Sequence, residues 1–158
     1  DTMSSACCHH YESPGCGAVD PGTLVCSLGT SGTLFGVSNS PVIDPSGTVA
    51  PFCDSTGRWL PLLCTQNCTL VLEEARAAAG GLPREELTAL AAAEPAGCDG
   101  LTMLPYLTGE RTPNWPSASG ALLGLRAGML GRPGLLYRAA MEAATFSLLA
   151  GGCCENDM

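Results

Sequence analysis

The sequence predicts one domain of mixed α and β structure, in the α/β or α+β class, with helices packed on a mixed sheet. Two observations support this class: short apolar runs bounded by glycine come first along the chain, and amphipathic helical patterns follow them. Of the 158 residues, 46% are hydrophobic and 14% are charged, as expected for a globular domain. We divide the chain into an irregular segment at 1–22, a folded domain at 23–150 and a tail at 151–158.

The strand signals come in two pairs. Residues 23–28 are apolar and partly β-branched, a Gly-Thr-Ser-Gly turn follows them, and a second strand pattern continues over 33–38. The segments 48–53 and 58–64 flank another turn, Asp-Ser-Thr-Gly, and predict a second hairpin. We expect both hairpins to belong to one sheet.

Three helices are predicted, at 67–79, 83–95 and 135–149, and the last is expected to pack on the sheet. Asn67 stands where an N-cap residue would begin the first helix. Residues 105–120 are rich in Pro, Gly and Ser and predict a long loop before the final helix.

The composition excludes several classes of function. All seven basic residues are arginines, so the chain contains no Walker A lysine, no protein-kinase strand lysine and no Schiff-base lysine. Its only histidines, His9 and His10, are adjacent, and no G-x-S-x-G motif accompanies them, which disfavours a hydrolase triad. A net charge of −8 disfavours nucleic acid and anionic membranes as partners. No apolar run approaches the roughly 20 residues that cross a bilayer.

The ten cysteines allow two interpretations. Cys26, Cys53 and Cys64 lie in apolar strand-like runs and are predicted to be small buried side chains in a reducing compartment. The other interpretation is a zinc site at residues 7–10 with Cys16 nearby, in an unrelated metal-binding or redox domain. Four consecutive residues cannot easily converge on one metal ion, so we favour an irregular exposed loop there.

A turn with small donors joins the first two strands. It consists of Gly29, Thr30, Ser31 and Gly32. Glycine lets backbone N–H groups approach an anion closely, and the two hydroxyls add further donors. Such a turn can bind a phosphate group without lysine, although a Gly-Thr-Ser-Gly run is more often a plain hairpin turn.

A second candidate segment lies in the long loop, where Glu110 and Arg111 stand among three prolines and a tryptophan. Rigid loops that carry convergent polar groups are typical functional surfaces. The alternative is an internal salt link between Glu110 and Arg111 that only holds the loop in shape.

Taken in order, these segments resemble the C-terminal domain of the FGGY carbohydrate kinases. The resemblance rests on five motifs, which in chain order are S-x-G-T-S-G, F-C-x-x-x-G-x-W, L-P-Y-L-x-G-E-R-T-P, G-x-L-x-G-L and R-A-A-M-E. The third motif is the most specific and points to the xylulokinase branch. The resemblance covers about residues 17–150, with residues 23–150 matching the first part of the domain and residues 8–15 forming an apparent insertion.

The resemblance implies an actin-like, ribonuclease-H-type ATPase fold, in which two domains hold ATP and a sugar between them. It implies MgATP-dependent phosphorylation of a pentulose-type sugar such as xylulose, and a homodimer for the full-length enzyme. By the same resemblance, Asp1 is the catalytic base, Gly29, Thr30, Ser31 and Gly32 hold phosphate, and the Glu110–Arg111 loop lines the cleft.

We expect this chain to be an incomplete domain of such a kinase and inactive alone, with residues preceding Asp1 in the full-length protein. The main alternative is a non-catalytic binding or assembly module derived from a sugar kinase. The sequence lacks the pattern of a secretory signal, which predicts an intracellular location, cytoplasmic or organellar, with the plastid included.

Overall fold

The computed structural model describes residues 17, 18 and 20–152. The strands and helices, in chain order, are β1 (Leu24–Leu28), β2 (Gly32–Gly36), β3 (Ala50–Cys53), β4 (Trp59–Thr65), α1 (Thr69–Ala78), α2 (Arg84–Ala92), β5 (Thr102–Leu104), β6 (Ala121–Leu123) and α3 (Pro133–Gly152). Within this part of the chain, no helix is both long enough and apolar enough to cross a membrane.

The main sheet has four strands in the order β1-β2-β4-β3, and every neighbouring pair is antiparallel. Both predicted hairpins, β1–β2 and β3–β4, are therefore confirmed, and they lie in one sheet as expected. Gly32 pairs with Leu28 on one side and with Thr65 on the other, so the turn after β1 lies beside the end of β4.

The predicted burial of Cys26 and Cys53 is wrong, because both side chains are exposed. They lie on β1 and β3, which are the two outer strands of the sheet. On β1 the exposed positions alternate, and Leu24 and Leu28 share the open face with Cys26. An apolar, β-branched run predicts a strand equally well at the edge and at the centre of a sheet, so the sequence did not distinguish them.

The other described cysteines are more enclosed. Cys64 is half-buried, whereas Cys68 and Cys98 are buried. Burial raises the pKa of Cys64 and of Cys68, and it raises the pKa of Cys98 to about 11. These thiols therefore remain protonated at neutral pH, which makes them poor nucleophiles and poor metal ligands.

Two neighbouring apolar clusters pack against α3, the first between all three helices and the second between α3 and the segments around residues 98–101 and 129. One consists of Val71, Ala75, Leu87, Ala91, Tyr137 and Ala140, and the other of Cys98, Leu101, Met129, Leu135, Leu136 and Ala139. Helix α3 also contacts β2 and β4, which confirms the predicted packing of the last helix on the sheet. It crosses α2 closely at Gly134, where a Cβ atom would lie 2.7 Å from backbone atoms of Leu90.

The first helix begins differently from the prediction. Its N-cap residue is Cys68, without a side-chain capping bond, and the side chain of Asn67 points instead to the 105–120 loop. That loop is confirmed as irregular over most of its length, but it joins two short antiparallel strands, β5 and β6, which the sequence did not predict. Three-residue strands are too short to show a period of two.

Arg138 connects α3 to the end of α2. Its guanidinium donates hydrogen bonds to the carbonyl oxygens of Ala91 at 3.2 Å and Glu94 at 2.9 Å, and it forms an ion pair with Glu142 at 2.9 Å. The last carbonyl groups of a helix have no partner in a following turn, and Arg138 donates to two carbonyl groups at this end. The Ala91 carbonyl also accepts the N–H of Glu94 at 3.1 Å, so the Glu94 carbonyl depends more on Arg138.

Replacing Arg138 by methionine is expected to lower the free energy of unfolding by about 2 kcal/mol, because the Glu94 carbonyl loses its side-chain donor and the part-buried Glu142 loses its ion-pair partner. Urea unfolding monitored by circular dichroism measures this loss. Arg84→Met is the matched control, since Arg84 is well exposed and its ion pair with Glu73 lies at the surface. We expect less than about 1 kcal/mol there, and equal losses in the two variants would contradict the assignment.

Candidate functional site

The turn between β1 and β2 is held by the first residues of α1. The backbone N–H of Thr69 donates to the carbonyl oxygen of Gly29 at 3.0 Å, and the N–H of Cys68 donates to that of Thr30 at 3.1 Å. These two N–H groups belong to the start of the helix, where backbone donors have no intrahelical acceptor. The carbonyl groups of Gly29 and Thr30 therefore point toward the helix, whereas the Ser31 carbonyl accepts the N–H of Gly29 at 3.1 Å.

This anchoring determines where the donors of the turn point. In a planar trans peptide the N–H is directed opposite to the C=O, so the N–H groups of Thr30 and Ser31 point away from α1. Neither group has an acceptor within residues 17, 18 and 20–152, and both residues are exposed. Two adjacent outward N–H groups, with two hydroxyls beside them, form the kind of surface that binds an anion.

Gly32 is required by packing. A Cβ atom on this residue would lie 2.8 Å from the Thr65 hydroxyl oxygen and 3.1 Å from both methyl groups of Leu148. The glycine therefore lets the end of the turn fit between β4 and α3. Next to it, the hydroxyl of Thr33 is buried and has no hydrogen-bond partner in the described part of the chain.

Glu110 lies inside the protein, where only 1% of its surface is exposed. One carboxylate oxygen accepts the backbone N–H groups of Gln66 at 2.5 Å and Arg111 at 2.7 Å. The other accepts the backbone N–H of Asn67 at 3.3 Å and its side-chain amide at 2.9 Å. Each oxygen of this buried carboxylate therefore has at least two hydrogen-bond donors from the described part of the chain.

Asn67 completes the same cluster, and sequence reasoning missed its role. Its side-chain N–H₂ donates to the carbonyl oxygen of Gly109 at 2.6 Å, and its side-chain oxygen accepts the N–H and hydroxyl of Thr108 at 3.3 and 3.2 Å. An Asn just before an apolar helical pattern predicts a cap, and no local signal distinguishes a cap from a contact more than 40 residues away. We call Asn67 and Glu110 the Asn–Glu clamp.

Arg111 is placed differently from its neighbour. The predicted alternative of a Glu110–Arg111 salt link is not found among the described residues, because Glu110 contacts the backbone N–H of Arg111 and not its guanidinium. The guanidinium is on the exposed surface of the loop. The structure thus brings the Glu110–Arg111 loop to the end of β4, and the start of α1 connects that point to the turn.

Two of the predicted groups fall outside the described residues: Asp1, and the cysteines and histidines at 7–10 with Cys16. Within residues 17, 18 and 20–152, no group of three or more His, Cys, Asp or Glu side chains is arranged to hold a metal ion. We therefore assign no magnesium ligand in this part of the chain.

Two grooves elsewhere on the surface are mainly apolar. One of about 380 Å³ lies between α2 and α3, and the other, of about 390 Å³, lies between α1 and the β5–β6 hairpin. Neither is lined by the turn or by the Asn–Glu clamp. Thr30 and Ser31, whose donors fit a phosphate group, are exposed and lie outside both of these grooves.

The chain is similar to known sugar kinases in sequence and in structure. It is 52% identical over 132 residues to a xylulose kinase of Streptomyces rubiginosus, covering 84% of this chain and 25% of that protein. A xylulose kinase of Streptomyces coelicolor is 51% identical over 129 residues, which cover 82% of this chain and 24% of that protein. The crystal structure of xylulose kinase from Bifidobacterium adolescentis superposes with a TM-score of 0.73 at 40% identity, over 85% of this chain and 26% of that one.

The sequence and structure comparisons match a similar share of the relatives and indicate the same fold. The chain spans about a quarter of the length of the curated relatives that it matches. Its sheet with packed helices has the actin-like ATPase fold of the sugar kinases to which it is similar. The family model for the C-terminal domain of the FGGY carbohydrate kinases matches residues 24–154. The chain therefore belongs to the FGGY family of carbohydrate kinases and matches the C-terminal domain of that family.

Proposed function

We propose that this chain contributes part of the catalytic cleft of an ATP-dependent kinase that phosphorylates a hydroxyl group of a pentulose-type sugar such as xylulose. The observation that carries the proposal is the turn at 29–32, in which the Gly29 and Thr30 carbonyl groups point to α1 and the Thr30 and Ser31 N–H groups are directed outward. Two relatives that are 52% and 51% identical to this chain are named xylulose kinases, which supports the choice of sugar.

In the proposed site the turn binds a phosphate group of ATP. The N–H groups and hydroxyls of Thr30 and Ser31 are hydrogen-bond donors, and this donor set fits phosphate oxygens. Gly29, which is exposed, lets the backbone approach the phosphate without a side chain in the way, and Gly32 lets the end of the turn fit between β4 and α3. Mg²⁺, when bound with ATP, neutralises part of the negative charge of the phosphate groups.

The proposed chemistry is an in-line transfer. The sugar hydroxyl oxygen bonds to the γ-phosphorus of ATP, the bond from that phosphorus to the bridging oxygen breaks, and ADP leaves. The hydroxyl proton passes to a carboxylate. From the resemblance to the family, we propose that this carboxylate belongs to Asp1. We propose that the Glu110–Arg111 loop faces the cleft, with the exposed guanidinium of Arg111 as the group that contacts a ligand.

The proposal is tested with a chimera. Residues 1–152 of this chain replace the matching segment of the Streptomyces rubiginosus xylulose kinase, and xylulose-dependent ADP release is measured in a coupled assay. We expect the chimera to retain turnover within about tenfold of the parent kinase, a difference of roughly 1.4 kcal/mol in activation free energy. The isolated 158-residue chain is expected to release no ADP.

The outcomes separate the candidate functions. A chimera that unfolds cooperatively but releases no ADP with xylulose would contradict the proposal and favour a non-catalytic binding module. Turnover with other sugar substrates only would keep the kinase and reject the pentulose. A homodimer of the full-length enzyme and its intracellular location stay predictions, which sedimentation of that enzyme and localisation of a tagged copy would check.

A further inference from the structure

Asn67 of the Asn–Glu clamp directly precedes Cys68 and Thr69, the two residues whose N–H groups hold the turn. Glu110 accepts the backbone N–H groups of Gln66 and Asn67, and the next two backbone N–H groups, of Cys68 and Thr69, donate to the turn. The loop, the start of α1 and the turn thus form one continuous chain of hydrogen bonds. A shift of residues 66 and 67 would move the donors on residues 68 and 69, because they share adjacent peptide planes.

The burial and hydrogen bonds of the Asn–Glu clamp favour a single conformation. Asn67 is fully buried, and Glu110 is nearly so. The side chain of Asn67 contacts Thr108, Gly109 and Glu110, so both of its polar atoms have partners on the loop. An unpaired buried charge or amide is strongly unfavourable, so this arrangement has few alternatives of similar free energy. The Glu110 carboxylate has no face left for a ligand, since each of its oxygens accepts at least two N–H groups.

We propose that Asn67 and Glu110 are positioning residues for the turn at 29–32. By fixing the start of α1, they keep the Gly29 and Thr30 carbonyl groups turned inward, and so keep the N–H groups of Thr30 and Ser31 directed outward. The G-E-R-T-P segment then contributes to phosphate binding through the backbone of another element and not through contact of Glu110 with the ligand. This inference rests on the proposed function, since it deepens the role of the same turn.

Glu110→Gln is the sharpest probe of this role. The glutamine keeps the shape of the side chain, but its N–H₂ group must face N–H donors in either orientation, because donors surround both carboxylate oxygens. The start of α1 should therefore loosen without loss of a large side chain. Glu86→Gln is the matched control, since Glu86 is exposed in the first turn of α2.

The experiment uses the ¹⁵N-labelled 158-residue chain and two readouts. The first is hydrogen exchange at the Cys68 and Thr69 amides, which we expect to become about tenfold faster in Glu110→Gln, while amides in the middle of α3 keep their protection. The second is the shift of the Thr30 and Ser31 amide signals on titration with inorganic pyrophosphate, where we expect about tenfold weaker binding. The control variant is expected to match the wild type in both.

The two readouts separate phosphate binding by the turn from the positioning role of Asn67 and Glu110. Wild-type protein that leaves the Thr30 and Ser31 signals unmoved by pyrophosphate would reject the phosphate-binding turn, and the exchange readout would then decide the positioning role alone. Unchanged exchange and unchanged affinity in a folded Glu110→Gln variant would overturn the positioning role. If that variant does not fold, Thr108→Val replaces it, since it removes one hydroxyl donor to Asn67 from an exposed loop residue. Thr108→Val is expected to speed exchange and to weaken pyrophosphate binding by about threefold each. No change in either readout would equally overturn the positioning role.

Discussion

Asp1→Asn in the chimera is expected to lower the turnover number for xylulose by roughly 10²–10⁴-fold, while the KM for xylulose changes little. The asparagine keeps the size and shape of the side chain but cannot accept the proton of the sugar hydroxyl. A positioned general base contributes rate in this range, and its loss acts on the chemical step more than on binding. Steady-state kinetics with saturating ATP measure both parameters.

Asp20→Asn is the control for this substitution, because Asp20 is an exposed residue of the same N-terminal stretch. It is expected to leave turnover within about twofold of the chimera, as surface substitutions usually do. A loss of less than tenfold in Asp1→Asn would rule out Asp1 as the base. A crystal structure of the chimera gives a second check, because a base must come within hydrogen-bond reach of its proton. An Asp1 carboxylate more than about 10 Å from the backbone of 29–32 would contradict the role.

The main sheet was predictable because its signals are local. Each hairpin consists of two apolar runs joined by a turn of glycine and small polar residues, and such a pattern has few other solutions. The helices α1 and α2 were predictable for a similar reason. Gly80 and Gly81, with φ values of 78° and 73°, end the first helix in the left-handed region that glycine favours. The prediction of the fold therefore depended little on contacts between distant residues.

The clamp was not predictable in the same way. Asn67 and Glu110 are 43 residues apart, and their contact depends on how the long loop folds back onto the end of β4. In the sequence, Glu110 stands beside an arginine in a proline-rich loop, which suggests a surface charge pair equally well. The structure shows a buried carboxylate surrounded by N–H groups, and that environment exists only after the tertiary structure has formed. The exposure of Cys26 and Cys53 has the same origin, since strand order decides which strands are at the edge.

The sequence and the structure contribute different information about the turn at 29–32. Its residue types allow a phosphate-binding function, but by themselves they favour a plain hairpin turn. The structure adds the direction of the peptide groups, which follows from the bonds that Cys68 and Thr69 donate to it. The same four residues with carbonyl groups outward would repel a phosphate, so the direction of these groups carries more of the argument than the composition of the turn does.

The loop that carries Glu110 folds tightly at Gly109. This residue has a φ of 75°, and a Cβ atom there would lie 2.2 Å from the carbonyl oxygen of Pro116. The loop is closed at this point by the reciprocal backbone hydrogen bonds between Glu110 and Trp115, at 2.9 and 3.0 Å, and by the edge-to-face contact of Trp115 with Tyr106. Because the obstructing atom belongs to the backbone, no side-chain rotation can make room for a methyl group.

Gly109→Ala is therefore expected to lower the free energy of unfolding by about 3–5 kcal/mol, as the sum of a backbone conformation that alanine disfavours and of overpacking. Gly57→Ala separates these two causes, because Gly57 also has a positive φ, of 87°, but no atom within 4 Å of the added Cβ. That variant is expected to lose only about 1–2 kcal/mol. Urea unfolding of both variants measures the difference, and equal losses would show that the loop yields at Gly109. The Gly109 carbonyl oxygen accepts the side-chain amide of Asn67, so a displaced loop should also speed hydrogen exchange at Cys68 and Thr69, whereas Gly57→Ala should leave both amides protected.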